Sequence, residues 1–338
     1  MKVPHSFWVV LRVALSLLLL WLAARNIDWV ALTQSQIELR PGWLVMAWIT
    51  LVISNALASS RWAWLTRQMG FHGSWMSFCK NYFACGLINQ GLPTTIGGDS
   101  FRAIAATRPG SRRAQEPLAD TLHQSIDLKH ATPSLRLSFV SVALDRALGL
   151  IGNNILGAIG LVTAGAMMAA WLVPAGWLVL VAMIGGVALF SILLRFDAPS
   201  RLLHRLLSKL NMQGAIPGIR VAFGWPYVWF QMGLALVIHL LTLLAFGFCL
   251  RAYGVHAPFE ALMIGLPALS LLMMLPISIS GWGLRETTLS AVLILWNVEP
   301  GLTVLASVSY GLVTLITYAP AAWVLLKRKQ KGKMAQGH

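Results

Sequence analysis

Acidic residues are scarce. The chain holds 11 Asp+Glu among 338 residues, and charged residues of both signs make up 11% of it, against about 25% in an ordinary soluble domain. So few charges cannot cover a surface that faces water, which excludes a soluble globular fold. Cysteine is scarce as well: Cys79, Cys85 and Cys249 lie in or beside apolar segments, with no CxxC pair. An odd number at that spacing excludes a disulfide framework and a cysteine metal site, and leaves small packing residues. No Walker sequence, HExxH, GxSxG or metal-ligand cluster occurs, so nothing marks an ATP-driven pump or a metal or serine hydrolase, and no cofactor is expected.

Apolar residues are abundant, at 57% of the chain with a mean hydropathy of +0.70. The reading is an all-α polytopic membrane protein. The net charge of +15 does not imply nucleic-acid binding, because the basic residues cluster between apolar segments, where topology determinants lie. A spanning helix needs about 20 apolar residues. Segments 6–24, 43–65, 137–164, 170–194, 225–250 and 303–326 meet that need. Lys2 precedes the first run, but Arg12 interrupts it and no small-residue cleavage site follows, so a retained span is expected rather than a signal peptide. The 15 tryptophans are expected mostly at membrane interfaces.

Two further stretches are less regular. Residues 76–96 form an apolar run containing Lys80, Asn81, Asn89 and Gln90, and 258–298 hold a second broken run. The first stretch ends in one copy of an eleven-residue pattern, and the second stretch contains another. The first runs from Leu92 through Pro93, Thr94, Thr95, Gly97, Gly98 and Asp99 to Arg102. The second runs from Leu275 through Pro276, Ser278, Ser280, Gly281 and Gly283 to Arg285, with Glu286 next. The shared form is L-P-x-[TS]-I-x-G-x-x-[FL]-R. Paired interruptions at corresponding positions of two halves point to a binding site between repeats.

Basic loops orient the chain. Segments 102–136, 195–224 and the tail carry the arginines and lysines and are expected on the cytoplasmic side. Parity then requires 76–101 to enter and leave the membrane on one side, and 258–298 likewise, unless the latter is two separate spans. The expected architecture is span, span, re-entrant motif, span, twice over in opposite orientation, with six to eight spans in all. The expected units are 1–165, 166–328 and a basic tail 329–338. The polar loop 102–136 is read either as a surface helix near 115–130 or as mobile chain.

A charge within the membrane costs roughly 2.5–3.5 kcal/mol on insertion scales and needs a partner or a purpose. Three acids sit beside arginines: Asp99 with Arg102, Asp145 with Arg146, and Glu286 with Arg285. Asp99 is read either as a helix cap with a local ion pair or as a ligand contact. The Gly97-Gly98-Asp99 run offers backbone N–H groups at a helix start. Asp145 and Arg146, adjacent on a helix, point about 100° apart, so Asp145 is expected to pair with Arg102 or Arg285. Glycines 149 and 152 suit close helix approach. Glycines 281 and 283 permit a tight bend, where Ser278 and Ser280 are expected to satisfy freed backbone groups. Arg61, at the end of the second span, is read either as buried or, in preference, as snorkelling to the headgroups. His239, alone in its span, is read as a packing residue in preference to a proton relay.

The strings Asn89 to Arg102, Leu144 to Gly149 and Leu275 to Glu286 together resemble the signature regions of the lysylphosphatidylglycerol synthase transmembrane region, a flippase-like integral membrane family. The resemblance covers roughly 6–328. It implies a fold of membrane helices and functional positions at Asn89, Pro93, Gly97, Gly98, Asp99, Arg102, Asp145, Arg146, Pro276, Ser278, Gly281, Gly283, Arg285 and Glu286. The family includes the flippase half of the multiple peptide resistance factor, which moves aminoacylated phosphatidylglycerol, and stand-alone members linked to hopanoid or isoprenoid lipid glycoconjugates. No soluble aminoacyl-transferase domain follows residue 328, so lysine transfer is not implied. The expectation is a bacterial inner-membrane transporter of a phosphate-bearing lipid, with both termini cytoplasmic. Its partners would be an anionic-headgroup lipid, the bilayer and a partner lipid synthase. Its binding residues would be Asn89, Thr94, Thr95, Gly97, Gly98, Asp99, Arg102, Asp145, Arg146, Ser278, Ser280, Gly281, Arg285 and Glu286. An intramembrane lipid-modifying transferase and a non-transporting scaffold for a synthase are the alternatives.

Overall fold

The computed structural model describes residues 5–25, 38–92, 96–107, 134–168, 171–275 and 278–326. Every regular element among them is helical. In chain order these are α1 (His5–Arg25), α2 (Pro41–Gln68), α3 (Trp75–Gly91), α4 (Ile96–Ala106), α5 (Leu135–Met168), α6 (Leu172–Leu193), α7 (Asp197–Lys209), α8 (Ile216–Phe223), α9 (Tyr227–Arg251), α10 (Phe259–Leu272), α11 (Leu284–Leu293) and α12 (Pro300–Tyr318).

Five of them are long and apolar enough to cross a membrane: α2, α5, α6, α9 and α12. They match five of the six expected spans. The sixth, 6–24, is helical as α1, with an apolar stretch described from Val13 to Arg25. The last expected span is shorter than its apolar run, because a turn at Ala319 and Pro320 ends α12. Residues 258–298 are neither one spanning helix nor two: α10 and α11 have 14 and 10 residues, well under the roughly 20 a crossing needs.

Local chemistry sets the boundaries. Pro41 and Pro300 stand in the first turns of α2 and α12, where a missing N–H costs nothing. The Ser74 hydroxyl caps α3 by accepting from the Ser77 N–H, and the Glu299 carboxylate caps α12 by accepting from Gly301 and Leu302. The apolar helix α3 stops at Gly91, just before Pro93, since the residue ahead of a proline is pushed out of the helical region.

Two sets of four helices follow one order, long, short, short, long. They are α2 to α5, with 28, 17, 11 and 34 residues, and α9 to α12, with 25, 14, 10 and 19. The sets interlock: α2 packs on α9, α3 meets α12, and α10 lies along α5. Gly152 abuts Ala235, and Gly157 and Gly160 abut Pro267 and Met263, so small residues of α5 bring α9 and α10 close. The central core joins Leu51, Leu243, Phe246, Leu266, Leu289 and Val313 from five helices. By contrast α6 buries little of its length and lies at the periphery.

The segment 195–224 is mostly helical, as α7 and α8. The polar stretch near 115–130, the tail 329–338, and Pro93, Thr94, Thr95 and Pro276 lie outside the described residues.

Candidate functional site

Five side chains from three helices form an alternating ladder of charge. Arg61 of α2 donates to Asp145 of α5, with nitrogen–oxygen distances of 2.9 and 3.0 Å, and to the Asp145 carbonyl at 3.0 Å. The other Asp145 oxygen accepts from Arg102 of α4 at 2.9 Å. Arg102 also donates to Asp99 at 3.1 Å. Asp99 in turn accepts two bonds from Arg146, each 3.0 Å. The ladder is therefore Arg61, Asp145, Arg102, Asp99, Arg146. Adjacent residues Asp145 and Arg146 point to different rungs, as helical geometry requires.

Burial grades the ladder. Arg61, Asp145 and Arg102 are 4% exposed or less at the side chain, Asp99 is 16% exposed, and Arg146 is 47% exposed. Arg61 does not snorkel. It is held inside because Asp145 and its carbonyl supply the acceptors that headgroups would otherwise provide. Nor does Asp99 cap α4: both its oxygens go to arginines. The Gly98 N–H is already bonded to the Asn89 amide oxygen at 3.0 Å, so it is not a free donor for an anion.

The second motif builds a separate cluster. Arg285 donates to Glu286 from two nitrogens, at 2.7 and 3.1 Å, and to the Ser307 hydroxyl at 3.0 Å. Ser307 donates to the same carboxylate. The other Glu286 oxygen accepts the Gly283 N–H at 2.6 Å. The chain enters α11 through positive φ at Ser280, Gly281 and Gly283, +53°, +79° and +82°, a path that suits glycine. Here the two motifs part: Gly98 is inside α4, while its counterpart Gly281 is in the turn before α11. The freed backbone groups find other partners than expected. Ser16 of α1 accepts the Ile279 N–H, and Ser280 donates to Gln90 at 2.8 Å.

Each motif arginine is flanked by a tryptophan and a tyrosine. Arg102 lies over Trp62 and Tyr82 at 5.2 and 5.3 Å, and Arg285 over Trp282 and Tyr310 at 4.8 and 5.8 Å. The ring faces favour a guanidinium that has lost its water. These tryptophans serve the charge clusters, whereas others, such as Trp225 and Trp171 at helix ends, are exposed as expected.

The two clusters line one cavity of about 350 Å³. Asn89, Gln90, Arg102 and Arg146 line it together with Ser278, Ser280, Gly281 and Arg285, and with Asn153 and His239. His239 lies beside Gly149 of α5. Four arginines stand against three carboxylates in the two clusters, leaving one positive charge over. The cavity wall thus has Arg146 as an accessible cation, and amides, hydroxyls and apolar side chains around it. The sequence did not signal Arg61 or Ser307 as members; each is bonded to a residue it follows or precedes by more than twenty positions. The three cysteines are buried and free, in keeping with packing.

Close packing at Gly98 yields a test. A Cβ there would overlap the Asn89 amide oxygen and the Cys85 carbonyl, and a backbone oxygen cannot rotate away. Gly98→Ala should cost about 1–3 kcal/mol, the usual range for overpacking, read as an earlier midpoint in thermal unfolding of the detergent-solubilised protein. An unchanged midpoint would mean that α3 and α4 pack less tightly than described.

Helices of spanning length around a buried, charged, solvent-reachable hollow define a polytopic membrane protein with an internal polar site. The particular family follows from its sequence: residues 9–322 match the family model described as lysylphosphatidylglycerol synthase TM region, and the chain belongs to that family. Comparison with curated proteins and with solved structures gives no match.

Proposed function

We propose that this protein is a lipid flippase or transporter, without chemical turnover, for a lipid that bears a phosphate. The observation that carries the reading is the shared cavity. It is bordered by equivalent positions of two sequence-related motifs, holds one excess positive charge, and exposes Arg146. Membership of a family named for a membrane lipid supports a lipid as the substrate. The matching helix orders of α2–α5 and α9–α12 support two inverted repeats whose short middle helices are re-entrant. The site is then the seam between the repeats, opening alternately to each leaflet. Irregular backbone at membrane depth is tolerated where it lines such a hollow.

The proposed ligand contacts are narrower than the motif set. Arg146 meets the phosphate directly. Asn89, Ser278, Ser280 and Gly281 border the headgroup, and Thr94 and Thr95 belong with them by motif position. Arg102, Asp145 and Glu286 hold other groups in place, and Gly97, Gly98 and Asp99 set the helix that aims Arg146. Arg285 contributes positive potential from the cavity lining. The basic loops support cytoplasmic termini, and a bacterial inner membrane is the proposed location. A lipid synthase that supplies the substrate is the proposed partner.

Reconstitution into liposomes tests this. A fluorescent phospholipid should redistribute between leaflets in the presence of the protein, and an uncharged diacylglycerol analogue should gain little. The lipid should be chemically unchanged by mass spectrometry. A new lipid species would instead identify a transferase, and no redistribution of any lipid would leave the scaffold reading.

A further inference from the structure

The segment between α6 and α9 carries a surface that the cavity does not use. Helix α7 has no buried residue. Its leucines nevertheless follow helical spacing: Leu202, Leu206 and Leu210 at every fourth position, with Leu203 and Leu207 beside them. The two rows differ in what they touch. Leu203 and Leu207 are half-buried, and Leu207 packs against the cluster of Trp62, Met69 and Phe71. Leu202, Leu206 and Leu210 are 58%, 52% and 59% exposed. Thus α7 is fixed to the protein along one row and presents a second row outward.

Basic residues border that outer row. Arg201, Arg205 and Lys209 are also spaced by four, each one position ahead of Leu202, Leu206 and Leu210. On a helix this places a cationic row alongside the leucines. Asp197 is the single acid of α7, in its first turn.

The depth of α7 is set by its neighbours. It starts four residues after the spanning helix α6 ends, and the chain rejoins the spanning helix α9 at Tyr227. Arg195 stacks on Trp225 at 5.2 Å, joining the two span ends, and an exposed tryptophan at a span end marks the interfacial level. A helix tied there with leucines outward and cations beside them has the pattern of one lying in the headgroup layer.

We propose that α7 lies in the plane of the membrane and binds an anionic phospholipid surface, its leucines in the acyl boundary and Arg201, Arg205 and Lys209 on lipid phosphates. The occupant is the bilayer rather than a protein, because the same leaflet that accepts the ends of α6 and α9 meets α7 at that depth. The cations match its charge. The surface is distinct from the transport cavity and does not depend on how that cavity works.

The native cysteines are buried, so Leu206→Cys in the full chain offers one reactive thiol for a bimane label. The probe is the labelled protein in nanodiscs of equal phosphatidylcholine and phosphatidylglycerol, with one or the other brominated on its chains. Brominated chains should quench the label strongly, and aqueous iodide weakly. Brominated phosphatidylglycerol should quench about twofold more than brominated phosphatidylcholine, reflecting local enrichment of anionic lipid. The triple variant Arg201→Gln/Arg205→Gln/Lys209→Gln should lose that preference while the label stays shielded from iodide. Strong iodide quenching in the unmodified helix overturns the in-plane placement. Equal quenching by both lipids overturns the anionic selection. Self-quenching between labelled copies, relieved when one labelled chain is present per disc, would show a second copy on the leucines and overturn the lipid as occupant.

Discussion

Asp145→Asn should destabilise the protein more than any other single isosteric change at the site, by about 3–5 kcal/mol, the cost of removing one partner from a buried ion pair. Among the described residues Asp145 is the sole carboxylate bonded to Arg61 and one of two bonded to Arg102, and all three side chains are almost fully enclosed. An amide of the same shape accepts at one oxygen and presents a donor at the other position. One guanidinium would then face an N–H where it now faces a negative oxygen. The measurement is thermal unfolding in detergent, alongside the triple variant Asp145→Leu/Arg61→Met/Arg102→Met. The triple variant should recover most of the loss, since it replaces the three enclosed members together and leaves Asp99 paired with Arg146, which is far gentler than orphaning a buried charge. A midpoint for Asp145→Asn equal to that of the unmodified protein would show that the ladder does not hold α2, α4 and α5 together.

Arg146→Ala should do the reverse: abolish most lipid movement and leave stability nearly intact. The Arg146 side chain is 47% exposed, and Asp99 keeps its bond to Arg102 without it. A charge-assisted hydrogen bond contributes roughly 1.5–3 kcal/mol, so losing the phosphate contact should cut transport by about ten- to a hundredfold at limiting lipid. Arg146→Lys should fall between, because lysine keeps the charge and loses the planar two-bond fork. Initial rates of leaflet redistribution in liposomes, with unfolding midpoints measured in parallel, separate the two roles. Full transport by Arg146→Ala would remove the phosphate contact from the mechanism.

These two residues are neighbours in sequence and opposites in role, which explains how far the sequence could be read. Composition and run length located the five spans, since about 20 apolar residues in a row have few other uses. The motif pattern located the breaks between α3 and α4 and between α10 and α11, because proline and glycine act locally. It also brought Asn89, Arg102, Gly281 and Arg285 to one cavity. Long-range partners were not legible. Arg61 follows Ser59 and Ser60 near a span end, where an arginine ordinarily reaches for headgroups, and its acceptor lies 84 positions on. Trp62 beside it has the look of an interfacial tryptophan but is fully buried under Arg102. Exposure was equally hidden: nothing in the string Leu144-Asp145-Arg146 says that the acid faces the core and the base faces the hollow. In 195–224 the count of positive charge carries the topology, and it masks the fourfold leucine spacing that makes α7 a surface helix.

The bond between Ser280 and Gln90 has a further meaning. Each motif is internally riveted by ions, whereas this link between them joins two neutral side chains and is worth about 1 kcal/mol, less than twice thermal energy. Heat alone can therefore unfasten and refasten this one contact, while the ion pairs inside each motif stay closed.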